Sequence, residues 1–229
     1  MKISILTLFP QMFTGPFDHS IVKRAREKGL VEILFVNIRD FGTSKHKVVD
    51  DKPYGGGVGM ILKVDVLYKV LHYALNKKLT RKEQKVILLS ATGKTYDQKM
   101  ARDFSRLSHL IIISGHYEGV DERILKFVDR QVSIGDFVLT GGEIPAMVIV
   151  DSVTRLIPGV LKKDATESES FSQGLLEYPQ YTRPENFAGL KVPEVLLSGN
   201  HKKIAKWKEK ESIKKTGDKH LKRGRINSS

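Results

Sequence analysis

Short apolar segments that alternate with helical segments are the feature of this sequence that most limits its fold. Val86–Ala91 and Leu110–Ser114 are apolar at nearly every position, as strands are when both faces of their sheet are covered. Val64–Lys77 and Tyr96–Leu107 repeat apolar residues at helical spacing. This alternation predicts an α/β fold with a mostly parallel sheet that is covered by helices on both sides.

The same patterns predict further elements on both sides of this region. Strands are predicted at Lys2–Phe9, Val31–Arg39 and Gln131–Leu139, and helices at Phe17–Lys28 and Glu143–Ile157.

Charge and cysteine content narrow the possible chemistry. The chain carries 39 Lys and Arg against 26 Asp and Glu, a formal net charge of +13, which favours a polyanionic partner such as nucleic acid or an anionic membrane surface. It contains no cysteine, which excludes disulfides, Cys-ligated zinc, thiol nucleophiles and iron–sulfur clusters. Any chemistry must therefore use oxygen and nitrogen groups.

No apolar run reaches the roughly 20 residues that a membrane helix needs. The start MKISILTLFP leads directly into patterned sequence without a small-residue cleavage site. We therefore expect a cytoplasmic protein without a membrane partner.

A polar segment divides the sequence. KKDATESESFSQG has no sustained period and is typical of a flexible linker. We therefore predict one domain over residues 1–160, a flexible linker over 161–175, and a small basic helical domain over 176–229.

The last part of the chain is strongly basic. From Asn200 onward eleven Lys and Arg stand against three acids. Asn200 can cap a helix whose apolar anchors are Ile204 and Trp207, which leaves a cationic face in solvent. A solvated tail that only aids solubility is the alternative interpretation.

Three glycine-containing loops follow predicted strands: Ser90–Gly93, Ser114–Gly119 and Ile134–Glu143. Each alone is more often only a turn. In a parallel sheet, however, the carboxyl ends of the strands meet at one edge, where glycine lets the backbone approach a ligand closely. Together the loops predict one ligand pocket.

Several common site types are disfavoured. No GxGxxG opens a helix and no GxxxxGK[ST] occurs, which argues against nucleoside triphosphate chemistry. The histidines lack zinc-site spacing, so His19, His72 and His109 are predicted at the surface or the core edge. The glycine-rich segment Asp50–Met60 is interpreted as either a lid or a disordered hairpin.

Six ordered blocks carry a family resemblance: PYGGGVGM from Pro53, GHYEGVDER from Gly115, SIGDFVLTGGE from Ser133, DSVTRLIPGV from Asp151, YTRP from Tyr181 and LLSGNH from Leu196. Together they resemble the bacterial tRNA (guanine-37-N1)-methyltransferase family, TrmD, over nearly the whole chain. Six blocks in this order and spacing are far more specific than any one of them.

The resemblance implies a SPOUT-type α/β fold with a deep trefoil knot, a small α-helical C-terminal domain, and a homodimer with composite active sites. It also implies that S-adenosylmethionine binds in the knot, held by backbone groups of the three loops. The cofactor-binding residues that it implies are Leu88, Leu89, Ser90, Ala91, Gly115, Tyr117, Glu118, Gly119, Ser133, Ile134, Gly135, Phe137, Leu139, Gly141, Gly142 and Pro145.

The implied reaction transfers the methyl group of S-adenosylmethionine to N1 of guanine-37 in tRNA, 3′ of the anticodon. Guanine N1 is a weak nucleophile while it keeps its proton, so transfer needs a base at N1 and a cation or donor at O6. Arg155 matches the family's arginine. Glu169 occupies the position of the family's aspartate base, with its carboxylate displaced by about one bond length, and Glu167 is the fallback base.

Two further partners follow from the resemblance. Cations of the C-terminal domain are expected to contact tRNA phosphates, with an affinity that falls as salt rises. Magnesium is associated with the family, but no dedicated carboxylate cage is visible, so the expectation is limited to an ion shared with a substrate oxygen or Glu169.

Two other functions stay open at this point. One is a knotted methyltransferase that modifies another RNA site. This alternative stays open because the cofactor pocket is less informative about the substrate than the linker and the tail. The other is a non-catalytic RNA-binding protein with a vestigial pocket, against which the complete glycine loops and Arg155 argue.

Overall fold

The computed structural model describes residues 1–162, 170 and 175–226, with side chains described up to residue 218. The chain forms two compact units, Met1–Leu161 and Lys162–Ser229. Over the described ranges, no helix has both the length and the apolar character that crossing a bilayer requires.

The first unit is built on a five-stranded sheet with the strand order β2-β1-β6-β5-β7. Its strands are β1 (Lys2–Thr7), β2 (Glu32–Asn37), β5 (Gln84–Thr95), β6 (His109–Ser114) and β7 (Arg130–Ser133). All neighbouring pairs run parallel. The predicted α/β fold with a mostly parallel sheet is thereby confirmed.

Four helices cover the sheet: α1 (Ser20–Glu27), α2 (Val64–Ala74), α3 (Gln98–Ser105) and α4 (Glu143–Thr154). Successive strand residues point to opposite faces. In β6, Leu110 and Ile112 therefore join one core cluster with residues of α1, α3 and α4. Ile111 and Ile113 join a second cluster with residues of α2.

A short antiparallel pair, β3 (Asp50–Asp51) and β4 (Ile61–Leu62), closes the glycine-rich segment into a hairpin. At its tip Tyr54 and Val58 are almost fully exposed. The far strand of the hairpin is fixed to the loop after β6, because Leu62 N donates to Gly119 O over 3.0 Å.

The ends of β1, β2 and β6 lie within two residues of the sequence prediction, and two other strands differ more in length. β5 continues to Thr95 instead of ending at Ala91, because its pairing with β7 shifts register after Leu89 and resumes at Lys94. β7 ends at Ser133 instead of Leu139, where the Ser133 hydroxyl donates to Gly135 O over 2.9 Å and starts a turn.

The placement of His109 at the surface or the core edge is wrong. Its side chain is fully buried, and its Nε2 and Nδ1 atoms lie 2.9 Å from Ser4 Oγ and 2.8 Å from Gln84 Oε1. The ring thus joins three adjacent strands, which supply the polar partners that a buried imidazole needs. His19 and His72 are exposed, as predicted.

The second unit contains a hairpin of β8 (Asn186–Phe187) and β9 (Leu190–Lys191), a short helix α5 (Glu194–Leu197) and a long helix α6 (His201–Ile226). Asn200 caps α6, because Lys203 N donates to its Oδ1 over 3.1 Å. The rings of Tyr181 and Trp207 lie 6.3 Å apart. The trefoil knot and the boundaries of the three predicted segments stay predictions.

Candidate cofactor site

The three loops predicted to meet line one cavity of about 390 Å³ at the carboxyl ends of the parallel strands. This size lies within the range of small-molecule sites. Every residue that the resemblance assigns to the cofactor, from Leu88 to Pro145, lies in the cavity wall.

The first loop, Ser90–Gly93, bulges out of β5 where the register shifts. Ser90 Oγ lies 2.9 Å from Thr92 Oγ1, a contact that supports the bulge. A Cβ at Gly93 would lie 2.5 Å from Val132 N. Only glycine therefore lets the chain rejoin β7 directly after the bulge.

The second and third loops are joined through their backbones. Gly142 N donates to Gly115 O over 2.7 Å, and His116 pairs with Gly141 in an isolated antiparallel bridge. A Cβ at Gly142 would lie 2.7 Å from Ser114 Cα. This close approach packs the start of α4 directly against the end of β6.

A buried carboxylate lies beneath this junction. Glu143 is 1% exposed, and its Oε1 accepts a 2.8 Å hydrogen bond from Thr7 Oγ1 at the end of β1. Its Oε2 lies 3.7 Å from His116 Nδ1, and the His116 ring packs 4.7 Å from the ring of Phe9. The cavity floor is thus linked to β1 as well as to the three loops.

Tyr96 supports the same region from the other side of α4. Its hydroxyl lies 2.8 Å from Ser152 Oγ, and its backbone N donates to Ser133 O over 2.7 Å. Burial raises the pKa of Tyr96 to about 12, so the phenol stays protonated in this contact even at alkaline pH.

The cavity combines apolar and acidic walls. Leu88 and Leu89 are buried in its floor, and Phe137 is half exposed at its side. Two carboxylates, Glu118 and Glu122, also line it, and their charge favours a cationic ligand. An apolar surface beside open backbone groups and carboxylates fits a ligand that carries both a flat purine and a sulfonium.

Of the two residues assigned to catalysis, Arg155 is not part of this wall. Glu169, like the fallback Glu167, lies outside the described residues. Arg155 follows the last residue of α4 and is partly buried, whereas the cavity contacts this helix near its start, at Pro145. Ten helical residues separate these two positions, a distance of about 15 Å.

No metal cage is formed by the side chains that the structure describes, where no cluster of three or more His, Asp or Glu could hold an ion.

Sequence reasoning did not single out several residues of the site. His116 stands inside a quoted block, but no role was assigned to it. Gln131 lines the cavity because β7 pairs beside β5, which is a tertiary arrangement. Leu125, from the segment before β7, lines it as well. Thr7 carries no local signal, since its partner Glu143 is 136 positions away.

Fold and cavity together define a class: an α/β protein that binds a small ligand at the carboxyl edge of a parallel sheet through close backbone turns. Comparison with known proteins is more specific. Residues 1–223 match the family model described as tRNA (Guanine-1)-methyltransferase TrmD, and the chain belongs to this family. Membership of this methyltransferase family implies S-adenosylmethionine as the methyl donor.

Relatives named tRNA (guanine-N(1)-)-methyltransferase are similar over nearly the full length. The protein of Dictyoglomus turgidum is 55% identical over 217 residues, which cover 94% of this chain and 86% of the relative. That of Carboxydothermus hydrogenoformans is 56% identical over 218 residues, covering 94% and 84%. That of Geobacillus kaustophilus is 53% identical over 219 residues, covering 94% and 88%.

Proposed function

We propose that this protein transfers the methyl group of S-adenosylmethionine to N1 of guanine-37 in tRNA. The observation that carries the proposal is the convergence of the three loops on one cavity in a chain of this family. When bound, S-adenosylmethionine supplies an electrophilic methyl group on a positively charged sulfur.

The cavity residues hold and orient the donor. Backbone groups of the three loops bind the purine, and the buried side chains of Leu88 and Leu89 give it an apolar surface. Glu118 and Glu122 favour the positive charge of the sulfonium. Excluding water from this wall protects the donor and strengthens its polar contacts.

Two residues act on the base. Glu169 accepts the proton of guanine N1, which turns this nitrogen into an effective nucleophile. Arg155 places its guanidinium near O6, where negative charge develops as the proton leaves, and so stabilises the transition state.

The geometry of α4 supports a homodimer with shared sites. Arg155 lies about 15 Å along the helix from Pro145, the residue of α4 that lines the cavity, and this separation exceeds the length of an arginine side chain. We infer that the cavity of one protomer is completed by Arg155 of the other. Ile144 and Val148 stand on α4 as exposed apolar side chains, which suits burial in such an interface.

The C-terminal unit provides the tRNA contacts. Its long helix α6 carries all eleven Lys and Arg that follow Asn200, and they bind anticodon-stem phosphates. Residues 176–229, which follow the linker 161–175 in sequence, thus serve as a tRNA-binding domain. We assign no step to magnesium, which would share a substrate oxygen or Glu169 as a ligand. We place the reaction in the cytoplasm.

The test is to incubate the protein with total tRNA and S-adenosylmethionine and to map the methylated nucleotide. Methylation at N1 of guanine-37, lost when that base is replaced, is the expected result. Methylation elsewhere would favour a different RNA site, and heat of cofactor binding without any transfer would favour a binding protein.

The base is tested with Glu169→Ala, which we expect to bind S-adenosylmethionine normally and to lose methyl transfer. Glu167→Ala is the matched control and should retain transfer. Equal single-turnover rates for Glu169→Ala and the wild type would remove Glu169 from the mechanism.

A further inference from the structure

A second groove lies on the first unit, at the opposite end of the sheet from the cofactor cavity. It has a volume of about 210 Å³ and is lined by the end of α2, the start of β5, and residues 126–129. Along β5 the groove contacts Gln84 and Val86, whereas the cofactor cavity begins at Leu88. Gln84 and Leu89 are five positions apart along the strand, a distance of about 17 Å.

The groove is bordered by positive charge. The connection from Asn76 to Lys85 contains five Lys and Arg and one acid. That acid, Glu83, is engaged locally, because its carboxylate accepts hydrogen bonds from the backbone and hydroxyl of Thr80. The acid of the groove itself, Asp129, is paired with Lys85 over 3.3 Å.

The remaining cations of this border have no counter-charge. Among the residues that the structure describes, none of their side chains forms a salt bridge, and all of them are exposed. They are Lys77, Lys78, Arg81, Lys82 and Lys126. A polyanion is the partner that would compensate them.

Aromatic rings stand within this charged border. Phe127 is 44% exposed and Tyr68 is 39% exposed. The Tyr68 ring lies 4.8 Å from that of Phe127 and 3.9 Å from that of His72. The cluster therefore presents ring surface to solvent beside Arg81 and Lys126, which line the same groove.

Cations around exposed rings match the way proteins bind unpaired RNA, in which phosphates meet Lys and Arg and bases stack on aromatic side chains. A protein partner is disfavoured, since lysine is depleted in protein interfaces. We propose that this groove binds an unpaired segment of the substrate RNA, with phosphates on Arg81 and Lys126 and a base stacked on Phe127. The choice of tRNA as that RNA rests on the proposed function.

The site is distant from the methyl donor, so it adds affinity without taking part in the reaction. Changes there should raise KM for tRNA and leave kcat at saturating tRNA, and the Kd of S-adenosylmethionine, unchanged.

The charge test compares two triple variants of the full-length protein. The first is Lys77→Gln/Arg81→Gln/Lys126→Gln, and the matched control is Lys28→Gln/Lys99→Gln/Arg106→Gln, which removes the same charge from exposed positions at or beside α1 and α3. Binding of an unmodified tRNA transcript is measured between about 50 and 200 mM salt. We expect the slope of log K against log salt to fall by about 2 in the groove variant only.

The stacking test uses Phe127→Leu, with Phe127→Tyr as the variant that keeps the ring. The Leu variant should weaken tRNA binding at least about fivefold, and the Tyr variant should bind like the wild type. Circular dichroism and thermal unfolding verify that each variant is folded.

Equal slopes for the two triple variants, or equal affinity of the two Phe127 variants, would overturn the proposal. So would a groove variant that loses binding to anionic lipid vesicles and keeps its tRNA affinity. The wild type could instead bind tRNA through the groove and leave guanine-37 unmethylated. That result would refute the proposed function but not the proposal that the groove binds RNA.

Discussion

Thr7 Oγ1 donates a 2.8 Å hydrogen bond to Oε1 of Glu143, a residue 136 positions later in the chain. Thr7 ends β1, an interior strand that lies between β2 and β6, and Glu143 is the first residue of α4. Since Glu143 is buried, its carboxylate depends on such partners to offset the loss of water. The pair therefore fixes the third loop of the cavity to an interior strand of the sheet.

Thr7→Val should show the importance of this link, because valine keeps the shape of threonine and removes the donor. The unmet buried carboxylate is expected to lower the free energy of unfolding by about 1 to 3 kcal/mol and to weaken S-adenosylmethionine binding. Urea denaturation and calorimetry measure the two effects. Thr7→Ser keeps the hydroxyl and should stay close to the wild type, so equal losses in both variants would contradict the role of the hydrogen bond.

The contact between the second and third loops can be tested at Gly142. Its φ of −81° is open to any residue, so the effect of Gly142→Ala comes from space alone. The new Cβ would lie 2.7 Å from Ser114 Cα and 2.9 Å from Gly115 N. Because backbone must move apart, we expect S-adenosylmethionine to bind at least about tenfold more weakly, the result of losing about 1.4 kcal/mol.

Gly217→Ala is the control for this change. A Cβ at Gly217 meets nothing within 4 Å, and alanine is favoured over glycine inside a helix by up to about 1 kcal/mol. This variant should bind the cofactor like the wild type. Unchanged affinity in Gly142→Ala would mean that the two loops can separate without loss.

The convergence of the loops could be predicted from sequence because it follows from a general rule. The strands are apolar on both faces, such strands run parallel, and the turns after Leu89 and Ser114 must then meet at one edge. The position of Glu143 at the start of a helix was equally visible. Its contact with Thr7 was not, since no local pattern links residues so far apart.

The predicted end of β5 and the predicted position of His109 were wrong for the same reason: both depend on contacts between distant parts of the chain. β5 extends beyond Ala91 only because β7 offers a new register after the bulge. His109 looks like a surface residue in sequence, and it is buried because Ser4 and Gln84 on the neighbouring strands satisfy its ring. Local patterns reveal elements and their ends, whereas pairing across the sheet decides where a polar side chain can be buried.

His109 should make the stability depend on pH. Burial lowers the pKa of His109 to about 4, against about 6.5 in an unfolded chain. Between these values the unfolded state binds a proton that the folded state does not bind, so stability falls as the pH drops from about 6.5 to 4. Above and below this window His109 contributes no further change.

Urea denaturation at pH 7.5, 5.5 and 4.5 checks this dependence against His109→Gln, which keeps a polar side chain and does not titrate. The wild type should lose more stability than the variant on acidification. Parallel pH profiles would show that the buried ring does not control this loss.

The proposal of a shared active site can be tested by mixing protomers. Gly142→Val damages the cavity and Arg155→Gln removes the guanidinium, and each homodimer should be inactive. If the cavity of one protomer works with Arg155 of its partner, a mixed dimer has one doubly damaged site and one intact site. It should then show about half the activity of the wild type.

If both features act within one protomer, each site of the mixed dimer keeps one defect and the dimer stays inactive. Mixed dimers are isolated through two different affinity tags and assayed at saturating tRNA, which distinguishes the outcomes. A mixed dimer of wild type and Arg155→Gln has one working site, so its activity serves as the reference value.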